Sequence, residues 1–101
     1  MERLLLSLDK SAVISEFIEE QLGSLIRVDR ARGSELLTTL NAYIRHWGRK
    51  TDTAAALHLQ RQSLYQRLER IFDLLGELPA GSPRLGGLLI AAEFEAARKR
   101  L

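Results

Sequence analysis

The chain has 101 residues, of which 46% are apolar and 28% are charged, and this composition is typical of one small globular domain rather than a disordered segment. It contains no cysteine, which excludes disulfides and thiolate chemistry, and no apolar run approaches the roughly 20 residues that span a bilayer. We therefore predict a cytoplasmic protein without membrane contact. The net charge is only +2, but residues 34–71 hold six basic and three acidic side chains. This local excess indicates either a patch that binds a polyanion or an ordinary solvated face.

Apolar residues recur at helical spacing from residue 4 to residue 28, and this spacing predicts the first helix. Asp9 or Ser11 is expected to cap its start, and Gly23 is expected to end it. The apolar residues 25–28 are then expected to form a separate short turn.

The second helix is predicted to begin with Ser34 as the N-cap and with Glu35 in the first turn, where its carboxylate meets the positive end of the helix dipole. Gly48 is expected to end this helix. Its predicted apolar face comprises Leu36, Leu37, Leu40, Tyr43, Ile44 and Trp47.

Thr51 or Asp52 is expected to cap a short third helix over residues 53–58. A fourth helix is predicted over residues 61–75, where Gly76 ends it. A loop with both prolines follows, and a fifth helix is expected over residues 83–100, with a basic end that suits the helix dipole. The predicted fold class is therefore all-α, a five-helix bundle that contains a helix-turn-helix.

The helix-turn-helix is predicted where the third and fourth helices meet. Such a motif needs small residues at the crossing and apolar residues on both sides of a short turn. The small residues are Ala54, Ala55 and Ala56. The apolar residues around the turn are Leu57, Leu59, Leu64 and Leu68. His58 is expected to lie at the turn itself. The same pattern also fits an αα-hairpin that does not bind DNA.

If the leucines of the fourth helix face inward, polar side chains face outward, and their chemistry suits DNA. In the major groove, arginine forms hydrogen bonds with guanine, and glutamine forms hydrogen bonds with adenine. Hydroxyls, cations and helix N-termini bind phosphates. We predict base reading by Arg61, Gln62, Tyr65 and Gln66. We predict backbone contacts by Thr51, Thr53, Ser63, Arg67 and Arg70.

The stretch "SELLTTLNAYIRHWGRKTDTAAALHLQRQSLYQRLERIFDLLG" resembles the C-terminal helix-turn-helix of the PucR/CdaR family of bacterial transcriptional regulators, and more distantly the Fis-type helix-turn-helix. The resemblance extends over residues 17–97. It is carried by Leu36, Leu37, Leu40, Ala42 and Tyr43, then Ala54, Ala56, Leu57, His58 and Leu59, then Arg61, Leu64, Arg67, Leu68, Arg70, Ile71, Leu74, Leu75 and Gly76. The chain departs from the family pattern where Gln62-Ser63 replaces Asn-Thr and where Gln66 replaces a tyrosine.

This resemblance implies that the chain is the C-terminal DNA-binding part of a longer regulator with an effector-sensing region upstream. Residues 1–33 resemble the segment that joins the two, and residues 34–101 are expected to form the helix-turn-helix domain. Because two-fold operators need two copies of such a motif, we predict a homodimer on double-stranded DNA. Its interface is expected near residues 4–26 and 85–94.

No catalytic constellation is recognisable in the sequence, so we predict no enzyme activity and no cofactor. The two histidines, His46 and His58, lack a third donor at helical spacing, so no metal site is expected. The alternative function is a helical dimerisation or interaction module that does not bind DNA, and its marker would be an electrically neutral outer face on the fourth helix.

Overall fold

The structure, a computed structural model, describes residues 2–99, and it describes their side chains from residue 11 to residue 98. The described part of the chain is all-α, with five helices and no strand. The helices are α1 (Glu2–Arg32), α2 (Leu36–Arg45), α3 (Lys50–Leu57), α4 (Arg61–Leu75) and α5 (Arg84–Lys99). α1 packs against α5, α4 and α2, while α2 also contacts α3, α4 and α5. The predicted all-α class is confirmed. The expected last residue of the fifth helix, Arg100, lies outside the described residues.

α1 is longer than the sequence predicted, because Gly23 does not end it. Gly23 lies inside the helix, and so do Asp9 and Ser11, which were expected to cap its start. The helix ends instead before Gly33, which adopts a φ of 64° and donates its N–H to the carbonyl of Asp29 at 2.8 Å. A left-handed residue after the last turn is a common helix terminator, and glycine adopts it without steric strain.

The start of α2 is capped by a side chain from α1 rather than by Ser34. Both carboxylate oxygens of Asp29 accept hydrogen bonds there, from the backbone N–H groups of Leu36 and Leu37, each at 2.9 Å. Ser34 donates its own hydroxyl to Asp29 at 2.5 Å. Glu35 is the residue at the N-cap position, and its side chain makes no capping hydrogen bond. The predicted capping role of Ser34 is therefore wrong.

The last apolar residue predicted for α2 lies outside the helix and the core. α2 ends at Arg45, and Trp47 follows in a left-handed conformation with half of its surface exposed. The turn closes at Gly48, whose φ is 81° and whose N–H donates to the carbonyl of Tyr43 at 2.8 Å. α3 then begins at Lys50, so the expected caps Thr51 and Asp52 lie in its first turn instead.

One apolar core joins all of the helices except α3, which contributes half-buried side chains at its edge. The fully buried side chains of α1 in this core include Leu22 and Leu25, which lie beside those of α2, α4 and α5. Tyr43 donates its hydroxyl to the carbonyl of Leu78 at 2.5 Å and so ties α2 to the loop after α4. Within the described residues, no helix is long and apolar enough to cross a membrane.

Candidate nucleic-acid interface

Three residues connect α3 to α4, which is the short connection that a helix-turn-helix requires. His58 adopts a left-handed conformation with a φ of 55°, as the C-cap of α3. The N–H of Leu59 donates to the carbonyl of Ala54 at 3.0 Å, and Gln60 is extended before the first turn of α4. The position predicted for His58 is confirmed. Of the three alanines expected at the helix crossing, Ala54 packs against the core, whereas Ala55 and Ala56 are exposed.

α4 separates a buried side from an exposed side, as the sequence predicted, and its bounds are those expected. The buried residues are Leu64, Leu68, Ile71 and Leu75. The exposed residues in the first three turns include Gln62, Ser63, Gln66, Glu69 and Arg70. Among the side chains that the structure describes, neither Gln62 nor Gln66 has a hydrogen-bond partner. These exposed residues are called the outward face below.

Arg61 and Tyr65 contact each other on the side of α4 that faces α3. Arg61 Nε donates to the Tyr65 hydroxyl at 2.9 Å, and this hydrogen bond, together with the charge interaction with the same group, raises the pKa of Arg61. Lys50 Nζ lies 5.1 Å from the centre of the Tyr65 ring, within cation–π distance. These residues line a groove with Thr51 and Ala54, which we call the α3-side groove. Tyr65 therefore holds two cations at the edge of the outward face.

Arg67 lies on the other side of α4, where its guanidinium contacts residues of α2 and of its N-cap. Its guanidinium donates to the Thr39 hydroxyl at 3.2 Å and to the Glu35 carboxylate at 3.4 Å, and 31% of the side chain is exposed. Thr39 and Glu35 belong to the start of α2, so Arg67 joins α4 to α2. The sequence pattern did not reveal this second role, because it depends on which residue α2 places opposite α4.

The predicted backbone-contacting residues differ in their exposure. Thr51 and Ser63 are exposed. Thr53 is fully buried, and both its hydroxyl and its N–H donate to the carbonyl of Arg49, at 2.7 and 3.0 Å. Neither group of Thr53 can therefore reach a phosphate, and Thr53 does not belong to the candidate contacts. The first turn of α3 also carries Asp52, which pairs with Arg49 at 3.0 Å.

Two basic residues beside α4 were missed by the sequence prediction. Lys50 lies between the helices predicted from the sequence, whereas in the structure it is the first residue of α3 and contacts Tyr65. Arg32, at the end of α1, lines a second groove on the opposite side of α4 from Lys50, which we call the α1-side groove. Its lining residues are Val28, Arg32, Ser34, Leu36, Gln66, Arg67 and Arg70. A signal for Arg32 was present in the basic end of α1, but its position beside α4 depends on the tertiary packing.

The described residues contain no group of three or more histidine, cysteine, aspartate or glutamate side chains that could hold a metal ion. His46 and His58 serve instead as the C-cap residues of α2 and α3.

A short helix, a three-residue turn and a second helix with an exposed polar face define the helix-turn-helix class. Comparison with protein families finds a match to the PucR C-terminal helix-turn-helix domain over residues 36–91, which is more than half of the chain. The chain therefore belongs to the PucR C-terminal helix-turn-helix domain family. This membership implies DNA binding by a domain of a transcriptional regulator, and the family is non-catalytic. The search of curated proteins and the search of solved structures find no significant match.

Proposed function

We propose that this chain binds duplex DNA sequence-specifically through the outward face of α4, as the C-terminal domain of a PucR-like transcriptional regulator. The observation that carries the proposal is the pair of exposed amides, Gln62 and Gln66, which lie on one face of α4 and have no hydrogen-bond partner among residues 11–98. A glutamine amide donates and accepts at once, so it matches the edge of adenine in the major groove.

The roles of the remaining side chains follow from their chemistry and surroundings. Arg61 is proposed to read guanine, and Tyr65 is proposed to orient Arg61 through their hydrogen bond at 2.9 Å rather than to bond a base itself. Thr51, Ser63 and Arg70 are exposed and suit phosphate contacts. Arg67 suits the same role, because its contact with Glu35 is long at 3.4 Å and 68% of the Glu35 side chain is exposed.

We propose further that the domain acts as a homodimer, with an effector-sensing region upstream in a longer parent protein. An apolar patch on α1 and α5 supports the dimer. Val13 and Ile90 are more than half exposed, and the rings of Phe17 and Phe94 meet edge to face with their centres 6.3 Å apart. This contact joins the exposed residues of the two helices into one surface, called the α1–α5 patch below. The patch agrees with the interface expected from the sequence, although the side chain of Leu4 lies outside the described residues.

The experiment is selection of bound sequences from a random duplex library by the purified chain, at two salt concentrations. We expect binding that weakens as salt rises, because cationic side chains release counterions from the phosphates. We also expect the bound pool to be enriched in an inverted repeat, because a two-fold dimer presents two copies of α4. Binding without any enriched sequence would contradict base reading.

The Gln62→Ala variant tests the base contact directly. We expect it to bind the selected sequence more weakly and to lose about 1–3 kcal/mol of discrimination at one base position in each half-site. Gln21→Ala on α1 is the matched control, and it should keep the original preference. If Gln62→Ala selected the same sequence with the same stringency, the assignment of Gln62 would be wrong.

The same selection tests the alternative function, an interaction module that does not bind DNA. In that case the chain would bind no duplex at low salt, while a light-scattering mass would still report an assembly of two or more chains. The exposed charges in the first three turns of α4 are Arg61, Glu69 and Arg70, which leave one net positive charge. This favours DNA binding, since an interaction module would be expected to have a neutral outer face there.

A further inference from the structure

The α1-side groove is lined by three arginines, and only one of them forms an ion pair within the described residues. Arg32 and Arg70 are both exposed, and neither forms an ion pair or side-chain hydrogen bond among residues 11–98. The third cation of the groove, Arg67, shares its charge with Glu35 at 3.4 Å. Two exposed arginines that line one groove and have no partner within the described residues are available to bind an anion.

Asp29, an acidic residue beside this groove, is already engaged. Asp29 accepts hydrogen bonds from the Ser34 hydroxyl and from the N–H groups of Leu36 and Leu37. These three donors hold the carboxylate at the start of α2, so it is not placed to pair with Arg32. Ser34 and Leu36 also line the groove, so the groove adjoins this capping arrangement.

The position of the groove relates it to the outward face of α4. Gln66 belongs to the outward face and also lines the α1-side groove. The α3-side groove, with Lys50, Thr51 and Arg61, lies along the other side of the same helix. The outward face is thus bordered by basic residues on both sides. A helix in the major groove has one DNA backbone on each side, so each border faces one strand.

We propose that Arg32, together with Arg70, binds a backbone phosphate of the DNA strand opposite the one that faces α3. This inference rests on the proposed DNA binding and extends it to α1, which lies outside the residues matched by the family. The segment of residues 1–33 resembles a linker from an upstream domain. By this inference it also contacts the nucleic acid directly.

The test compares Arg32→Ala with Arg30→Ala, an exposed arginine on the same helix that does not line the groove. Each variant is titrated with the selected duplex and with a scrambled duplex of equal length, over a series of salt concentrations. For Arg32→Ala we expect weaker binding to both duplexes and a salt slope shallower by about one unit, as for the loss of one phosphate contact. Arg30→Ala should keep the slope of the original chain.

The outcomes separate this inference from the proposed function. If the unmodified chain binds DNA and Arg32→Ala has the same affinity and slope as Arg30→Ala, the phosphate contact of Arg32 is overturned while DNA binding stands. If Arg32→Ala weakens only the selected duplex, Arg32 reads a base and the phosphate assignment is also overturned. If the unmodified chain binds neither duplex, the proposed DNA binding is overturned, and the Arg32 contact that rests on it is overturned as well. Arg32→Lys should recover most of the lost affinity, since it restores the charge.

Discussion

At the scale of single residues, Tyr43 connects the helix-turn-helix to the segment that follows it. The side chain is 1% exposed, and its hydroxyl donates to the Leu78 carbonyl in the loop between α4 and α5. Its ring meets that of Phe72 edge to face, with 5.8 Å between the centres. Burial raises the pKa of Tyr43, and the negative charge of Glu77 raises it further. The residue therefore contributes both packing and a buried hydrogen bond.

Replacing Tyr43 by phenylalanine keeps the ring and removes this hydrogen bond. We expect Tyr43→Phe to lower the free energy of unfolding by about 1–3 kcal/mol, because the buried Leu78 carbonyl loses its partner. The measurement is the urea unfolding curve. Tyr65→Phe, which changes an exposed tyrosine, is the control and should remain within about 0.5 kcal/mol of the original chain. Equal curves for the two variants would contradict the role assigned to the Tyr43 hydroxyl.

The raised pKa of Tyr43 predicts a pH dependence with a definite sign. A group whose pKa is higher in the folded state contributes stability that is complete below its unfolded pKa, which is 10.0 for tyrosine. That contribution is lost as the pH rises from there through the folded pKa. The difference in unfolding free energy between the original chain and Tyr43→Phe should therefore shrink above about pH 10. A difference that stays constant or grows in this range would contradict the prediction.

At the scale of elements, the ends of the helices depend on neighbouring elements as well as on local residues. α4 ends at Gly76, as its own sequence indicates, because glycine readily adopts the φ of 88° found there. α2, in contrast, is capped by Asp29 of α1, which is seven residues before Leu36 and eight before Leu37. The junction between α1 and α2 is therefore stabilised by a side chain that local capping rules do not identify.

Asp29→Ala tests this junction. It removes the acceptor for two backbone N–H groups and for the Ser34 hydroxyl, so we expect a loss of about 0.5–2 kcal/mol in the free energy of unfolding. Glu35→Ala is the matched control, since Glu35 occupies the N-cap position but makes no capping hydrogen bond. Its exposed pair with Arg67 should contribute less than about 1 kcal/mol. A larger loss for Glu35→Ala than for Asp29→Ala would show that the cap has been misassigned.

At the scale of the whole molecule, α1 and the helix-turn-helix share one core. Ile18, Leu22 and Leu25 of α1 are each at most 1% exposed. The boundary proposed at residue 33 coincides with the left-handed Gly33, but Leu22 and Leu25 belong to the same apolar cluster as side chains of α2, α4 and α5. Each such side chain contributes roughly 1.5–3 kcal/mol when it is buried.

A fragment of residues 34–101 should therefore be unfolded or only partly folded by itself. Loss of the three buried side chains removes roughly 5–9 kcal/mol of burial, which is comparable to the whole stability of an ordinary small domain. Circular dichroism and thermal unfolding of the fragment, beside the full chain, measure this directly. A fragment with a cooperative transition near that of the full chain would show that the helix-turn-helix folds without α1.

The α1–α5 patch predicts the oligomeric state. We expect Ile90→Glu to shift the mass measured by sedimentation equilibrium from a dimer towards a monomer, because it places a charge in the proposed apolar interface. Trp47→Glu is the control, since Trp47 is also about half exposed but lies outside the patch. The dimer proposal would be contradicted by a monomeric original chain at concentrations well above those used for DNA binding.

The sequence was sufficient to predict that there are five helices, the bounds of α4, the turn at His58 and the family to which the chain belongs. These features follow from apolar periodicity, glycine positions and motif spacing, which are local properties of the chain. It also identified Gln62 and Gln66 as residues of the exposed side of α4, because the leucines of that helix define the opposite side.

The set of side chains near α4 that are free to contact a ligand depends on the tertiary structure. Thr53 is buried against Arg49, Arg67 is shared with α2, and Arg32 of α1 reaches the groove beside α4. The continuation of α1 through Gly23 also depends on the tertiary structure, since the buried side chains of that helix pack on both sides of the glycine. The physical reason is common to these cases. Hydrogen-bond partners, local charge and the burial of side chains at the edges of a helix depend on the residues that neighbouring helices bring into contact, and sequence spacing within one helix does not specify which residues those are.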